Sequence, residues 1–421
     1  MRILPIALAL LLAANAGSAQ TPDARIQKIV GSSEFRSAAA FLESDYERFV
    51  RELIALTEIP APPFKEQKRA AAYLEMLRAL GLSDVEMDDE GNVMGVRKGK
   101  AGGPMLAVLG HLDTVFPEGT DVTVKPSGTR LMAPGVGDDT RALALILTLA
   151  RAMNSAGLET TSDILFVGNV GEEGEGDLRG VKHLLQKGRY KGRIDRFISI
   201  DGGDQASITN GALGSKRYRV TFKGPGGHSY GAFGLVSPAF AMGDAMARLS
   251  RLTVPRNPKT TFNVGVVSGG TSVNSIPVEM SMDVDMRSES PEELRRLVES
   301  FQKVVREAVE EENRTRSTSE GRIVAEVRLI GDRPAGETSL TSSLVEITTA
   351  AIKAFGLKPS YGISSTDSNI PISMGLQAVT IGRGPGGRSH SLDEWTDIER
   401  TSSVRAAQVA LAVIVGAAGV P

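Results

Sequence analysis

Hydrophobic positions recur at three- and four-residue spacing over residues 40–58 and 65–81, which predicts two amphipathic helices. Four continuous apolar runs stand apart from that pattern, at 105–109, 164–167, 197–200 and 378–381. Each is four or five residues long, mostly β-branched or aliphatic, and bounded by glycine or a polar turn. Such runs suit parallel strands buried on both faces, with helices such as 141–156 packed over them. Reactive residues follow every run. The first ends in Gly110-His111-Leu112-Asp113, the second in Gly171-Glu172-Glu173 and the third in Asp201, and the fourth leads through a glycine loop to His390. In open α/β sheets ligands bind beyond the carboxyl ends of the strands. The pattern therefore predicts one site at one sheet edge.

Between 214 and 329 the texture changes to alternation. Strands are predicted at 216–223, 261–267, 279–287 and 323–329, with helices at 239–252 and 291–311 and a polar loop at 313–319. Strand-helix-strand-strand-helix-strand is the ferredoxin-like order. Because apolar helix and strand patterns resume at 344–355 and 378–381, this unit reads as an insertion. The expected fold is α/β, a mixed sheet with helices on both faces, interrupted by a ferredoxin-like α+β domain. Expected boundaries are 1–19 for a targeting segment, 20–213 and 331–421 for the two parts of the main domain, and 214–330 for the insertion.

Composition narrows the chemistry. Lys+Arg number 48 against 50 Asp+Glu, a net charge of −2, which gives no basic surface for nucleic acid. Cysteine is absent, which excludes disulfides, thiolate metal sites and cysteine nucleophiles together. Any metal site must use His, Asp and Glu, and the chain has four histidines: His111, His183, His228 and His390. Arg2, the apolar run 3–14 and the small residues Ala14-Asn15-Ala16 or Gly17-Ser18-Ala19 predict a cleaved signal peptide and export to a periplasm or the exterior. No second stretch reads as a membrane span; the apolar end, 406–420, reads as a core helix.

His111 and Asp113, two apart, share a face of extended backbone. Alone they fit a structural hydrogen bond as well as a metal ligand with its orienting carboxylate. Asp138-Asp139 precedes a helix, where Asp is a common cap. Glu172-Glu173 opens an acidic stretch that would ordinarily be a solvated loop. Its position directly after a buried strand allows a split of roles, one carboxylate binding metal and one moving a proton. There is no H-E-x-x-H helix.

Taken together, Gly110-His111-Leu112-Asp113-Thr114-Val115, Gly135-Val136-Gly137-Asp138-Asp139, Glu172-Glu173, Asp201 and His390 resemble the co-catalytic metallopeptidases of the M20 family, over nearly the whole chain after residue 19. The resemblance implies a zinc-peptidase-like catalytic domain, an inserted lid and dimerisation domain, and two divalent ions, most often zinc, with cobalt or manganese as alternatives. It implies that Asp138 bridges the ions, that His111 and Asp201 complete one, and that Glu173 and His390 complete the other. Asp113 would orient His111, and Glu172 would be the general base. Gly226-Gly227-His228-Ser229 resembles the family's glycine-histidine loop, whose histidine reaches the partner subunit's active site and binds the developing oxyanion. Asn274, in Gly269-Gly270-Thr271-Ser272-Val273-Asn274, and Arg287, in Asp285-Met286-Arg287, would bind the substrate's carboxylate or main chain. A homodimer through the insertion is implied. His183 matches nothing and reads as structural or exposed.

Two departures stand out. Thr140-Arg141 replaces the lysine that many relatives carry after the Asp-Asp pair, and the loop 382–388 is rich in glycine and arginine, reading as a substrate contact or a flexible segment. Asp201 and the stretch Ile200-Asp201-Gly202-Gly203 resemble peptidase T most closely. The expected activity is hydrolysis of short peptides from a free N-terminus; the alternatives are an N-acyl amino acid deacylase or carboxypeptidase of the same family, and a non-catalytic binding protein.

Overall fold

Alternate positions of the first apolar run face opposite ways in a computed structural model of the chain, which describes residues 20–421. Leu106 and Val108 belong to one buried cluster, and Met105, Ala107 and Leu109 to another. Both faces are therefore covered. Helices Thr140–Ser155, Ser343–Ala354 and Arg400–Ala418 lie on one side and Arg179–Gln186 on the other. The segment 1–19, expected to be a signal peptide, lies outside the described residues.

The strands that matter for the site run in chain order. β1 (Ser83–Met87), β2 (Val93–Arg97), β3 (Gly103–His111), β4 (Ser162–Asn169), β5 (Ile194–Ile200) and β6 (Ser207–Ala212) come first. β7 (Gly214–Lys223), β8 (Thr260–Gly269), β9 (Glu279–Ser288) and β10 (Val324–Arg333) follow, and β11 (Gly336–Glu337), β12 (Ser360–Ser364) and β13 (Gln377–Ile381) close the series. The central sheet has the order β1-β2-β4-β3-β5-β13-β6-β11, with β12 also on β6. The four apolar runs are its parallel heart, β4-β3-β5-β13. Register sets Leu109 against both Val167 and Ser199, and Ile200 against Ile381, so all four carboxyl ends reach one edge together.

The second sheet, β8-β9-β7-β10, is wholly antiparallel. Val220, Phe222, Met282 and Val284 face helices Pro238–Leu249 and Pro291–Thr315, which bury Ala241, Leu249, Leu297 and Phe301 against them. β10 runs past residue 330 to Arg333, so its last residues stand in the catalytic domain's territory.

Two local expectations are corrected. The single helix expected at 40–58 is two, Ser33–Ser44 and Tyr46–Thr57. At the break Ser44 Oγ donates to the Phe41 carbonyl, a side-chain bond that competes with the helical ladder, and Arg151 holds the Asp45 carboxylate at 2.8 Å. The loop expected at 313–319 begins later, because the helix continues to Thr315. Asn313 there exchanges two hydrogen bonds with the main chain of Ile323, drawing β10 back onto the helix. Among the described residues one helix, Arg400–Ala418, is long and apolar enough to cross a membrane. It is largely buried, with Leu411, Ala412, Ile414 and Val415 inside the main core.

Candidate metal centre and active site

His111, Glu172, Glu173 and Asp201 lie at or just after the ends of central strands, whereas Asp138 and His390 come from loops. His111 closes β3; its ring Nδ1 lies 3.0 Å from the Asp113 carbonyl and its Nε2 lies 3.1 Å from Asp138 Oδ1. A ring bonded at Nδ1 to a carbonyl presents Nε2 as the ligating atom. The Asp113 carboxylate has another task. It accepts from the main-chain N–H of Glu172 at 3.0 Å and of Glu173 at 2.8 Å, while its distance to His111 Nδ1 is 3.7 Å. Asp113 thus orients His111 through its main chain and the two glutamates through its side chain.

Asp139 occupies the position before helix Thr140–Ser155 but makes no capping bond with its side chain. Its Oδ2 accepts from the His111 N–H at 3.1 Å instead. The Asp138–Asp139 peptide is cis. The buried Glu394 carboxylate holds the turn before them, accepting from the N–H groups of Gly135 at 3.0 Å, Gly137 at 2.9 Å and Asp138 at 2.7 Å.

The acidic groups gather in three overlapping sets, of which His111, Glu172 and Glu173 form one. Ligand atoms of His111, Asp138, Asp139 and Asp201 lie within 4.8 Å of one another, as do those of Asp138, Glu173 and His390. His390 Nε2 is 2.8 Å from Glu173 Oε1 and 3.4 Å from Asp138 Oδ2. Asp138 links the set holding Asp201 to the set holding His390. Burial opposes its charge, yet Arg383, His111 and His390 hold its carboxyl well below the usual range. Asp139 is pushed well above that range by burial, with Asp201 and Asp138 adding. His390 is raised to about 10 by Asp138 and Glu173. Four carboxylates converging on two imidazoles form a pocket of nitrogen and oxygen donors without sulfur, a set suited to zinc, cobalt or manganese. The residues fit divalent cations.

Arginines that the sequence left in doubt complete the site. Arg383, from the glycine–arginine loop, is buried; its Nη1 bonds Asp201, lies 3.1 Å from Asp138 and 3.5 Å from Asp139. Arg141, where many relatives have lysine, is buried beneath that loop and donates to the Arg383 carbonyl at 2.9 Å and to Thr396 Oγ1 at 2.7 Å. Arg333, the last residue of β10, lies 3.1 Å from Glu172 Oε1 and also donates to the Glu172 carbonyl. Burial pushes the Glu172 carboxyl well above its ordinary range, against the pull of Arg333.

A cleft of about 910 Å³ opens over these groups. Asp138, Glu172, Glu173, Asp201 and His390 line it from the sheet edge, and Arg287 and Arg217 from the inserted domain. His111 and Asp113 lie buried behind it. His228 and Asn274 do not reach it within one chain. They share an exposed two-stranded ribbon of segments distant in the chain, in which Gly227–His228 pairs with Ser275–Ile276 and the Ser229 N–H donates to the Asn274 carbonyl at 2.9 Å. His183 lies on helix Arg179–Gln186 near Asp88 and Glu90, away from the cleft. Arg217, Arg333, Arg383 and Glu394 were not singled out from the sequence. For Arg383 the arginine-bearing glycine loop before His390 was the available signal.

A mixed sheet with its acidic edge facing an inserted α+β domain is the architecture of a metal-dependent hydrolase. The profile of peptidase family M20/M25/M40 matches residues 107–415, and the chain belongs to that family. An acetylornithine deacetylase from Myxococcus xanthus is 28% identical over 364 residues, covering 81% of this chain and 88% of that protein. The fold is shared with the aminopeptidase PepT of Bacillus cereus, with a TM-score of 0.71 at 22% identity, covering 89% of this chain and 99% of that one. It is also shared with a dinuclear metal binding M20 peptidase of Bacillus subtilis, with a TM-score of 0.65 at 18% identity, covering 90% and 99%.

Proposed function

We propose that the chain is an exported two-metal amide hydrolase that acts on short peptides from a free N-terminus. The observation carrying this reading is the shared position of Asp138 between His111 and Asp201 on one side and Glu173 and His390 on the other, with Glu172 beside them. His111, Asp138 and Asp201 would hold one ion, and Asp138, Glu173 and His390 the other. Bound there, two divalent ions supply Lewis acidity and a lowered pKa for water. Glu172 has one carboxylate oxygen tied to Arg333. Its other oxygen takes the proton of the attacking water and passes it to the leaving amine, a transfer worth about 10²–10⁴-fold in rate. Arg287 receives the substrate's carboxylate with its fork of donors. His228, supplied by a second copy, donates to the developing oxyanion. Export rests on the apolar run 3–14 and the small residues behind it.

A second reading, deacylation of an N-acyl amino acid, is favoured by the name of the Myxococcus relative. Asp201 in place of glutamate favours the peptidase. The deciding experiment strips metal, restores zinc, cobalt or manganese, and compares free di- and tripeptides with N-acetyl amino acids. Metal-restored cleavage confined to free N-termini is the expected result. Preference for acylated substrates would move the assignment to a deacylase, and no turnover on either set would refute the hydrolase reading.

A further inference from the structure

The inserted sheet carries a cross-strand ladder of ion pairs that is balanced at one rung and unbalanced at the next. Asp283 stands opposite Arg219, with contacts of 2.8 and 2.6 Å, one charge for one. Two residues on, Asp285 stands opposite Arg217 but serves two guanidinium groups. Its Oδ1 accepts from Arg217 Nε at 3.1 Å, and its Oδ2 accepts from Arg287 Nε at 2.8 Å. Arg287 shares that face because it lies two residues along the same strand. Arg217 Nη1 is anchored to the carbonyl of Gly174, the residue after Glu173, at 2.9 Å. Arg217 Nη2 and both terminal nitrogens of Arg287 have no hydrogen-bond partner among the described residues. Both side chains line the cleft. Its other two arginines are already matched, Arg333 by Glu172 and Arg383 by Asp138 and Asp201.

We propose that Arg217 and Arg287, clamped side by side by the single carboxylate of Asp285, form a two-fork anion site, so that the amine released by hydrolysis is an acidic amino acid carrying two carboxylates. The inference rests on the hydrolase reading above and adds Arg217 as the residue that sets substrate class. Each guanidinium presents a planar set of donors to one carboxylate. Asp285 fixes both side chains through Nε, and two guanidinium charges less its own leave one net positive charge facing the substrate's two carboxylates. An uncharged amide in that place would leave the second fork unmatched, the situation in which a polar site discriminates strongly.

The test uses matched substrates on metal-restored protein: Ala-Glu against Ala-Gln, and N-acetyl-glutamate against N-acetyl-glutamine, with wild type, Arg217→Gln and Arg217→Lys. Wild type is expected to favour the glutamate member by about tenfold or more in kcat/KM. In Arg217→Gln the ratio falls to about threefold or less, and Arg217→Lys, which keeps charge without the fork, lies between. A wild-type ratio near one overturns the proposal. So does an equal loss on both members in Arg217→Gln, which marks a purely structural tie to Gly174. Calorimetry with free glutamate and glutamine reads the same site without turnover. Tighter glutamate binding that is lost in Arg217→Gln, with no amide cleaved, sustains this site and removes the hydrolase reading. Equal binding with no cleavage removes both.

Discussion

Asp113 shows how much of the chemistry depends on one buried side chain. Its two carboxylate oxygens accept separately from the N–H groups of Glu172 and Glu173, so the proposed base and a proposed ligand hang from a single anion. Asp113→Asn keeps one acceptor and turns an amide N–H₂ toward the other donor. The expected result is a 10–100-fold loss, on the order seen when groups supporting a metal site are altered, in both activity and metal affinity. Steady-state kinetics with a metal titration checks it, and wild-type behaviour in both would show that the two backbones hold themselves. Asp367 poses a different problem. It is buried, its Oδ2 accepts from Asn169 at 2.7 Å, and its Oδ1 has no partner among the described residues. Burial pushes its carboxyl from 3.8 to about 7. Between those values the folded protein binds more protons than the unfolded chain, so this group's contribution to stability falls as pH rises. Asp367→Asn has no such proton to lose. Relative to wild type, the metal-free variant should gain stability from about pH 4 to about pH 7, by on the order of 4 kcal/mol at most, and level off above. Urea melts across that range measure it; parallel curves would refute the assignment.

At the scale of elements, the C-terminal helix Arg400–Ala418 is the sharpest case, because its composition suits a bilayer and its position is the core. Leu411 is fully buried there. Leu411→Ala should destabilise the protein by about 2–5 kcal/mol through lost transfer energy and the cavity left behind. A thermal melt reads this, and an unchanged Tm would mean that the helix does not pack as described. The same contrast explains what was legible beforehand. Short apolar runs that bury both faces can hardly be anything but central strands, so the sheet and the reactive residues at its edge could be read from 105–109, 164–167, 197–200 and 378–381. The ferredoxin-like order was legible for a related reason, since alternation marks a sheet covered on one face. Arg333, Arg383 and Glu394 were not legible. A charged residue reads as surface until its partners are known, and theirs lie 161, 245 and 256 residues away in the chain. The break at Asp45 was hidden as well, because apolar spacing continues across it and only the bonds of Ser44 and Arg151 mark the change of direction.

For the whole molecule, the question raised by the fold is the separation of the two-stranded ribbon from the cleft. His228 and Asn274 sit on an exposed tip, beside Tyr230, Phe233 and Val273, whose side chains stand almost fully in solvent. Apolar side chains grouped so openly mark a surface that another protein covers. The dimer proposed for His228 would cover the apolar tip, and its two-fold symmetry would make the exchange of His228 between sites reciprocal. The arrangement has a consequence that a monomer lacks. His228→Ala spoils the site of the partner, whereas Glu172→Gln spoils its own. Each variant alone should be nearly inactive while remaining dimeric on gel filtration. When the two are unfolded together and refolded as an equal mixture, half of the dimers are mixed, and each mixed dimer contains one complete site. Activity should recover to about a quarter of wild type on this symmetric counting. If His228 serves its own chain, or serves only to shape the ribbon, the mixture stays as inactive as its parts.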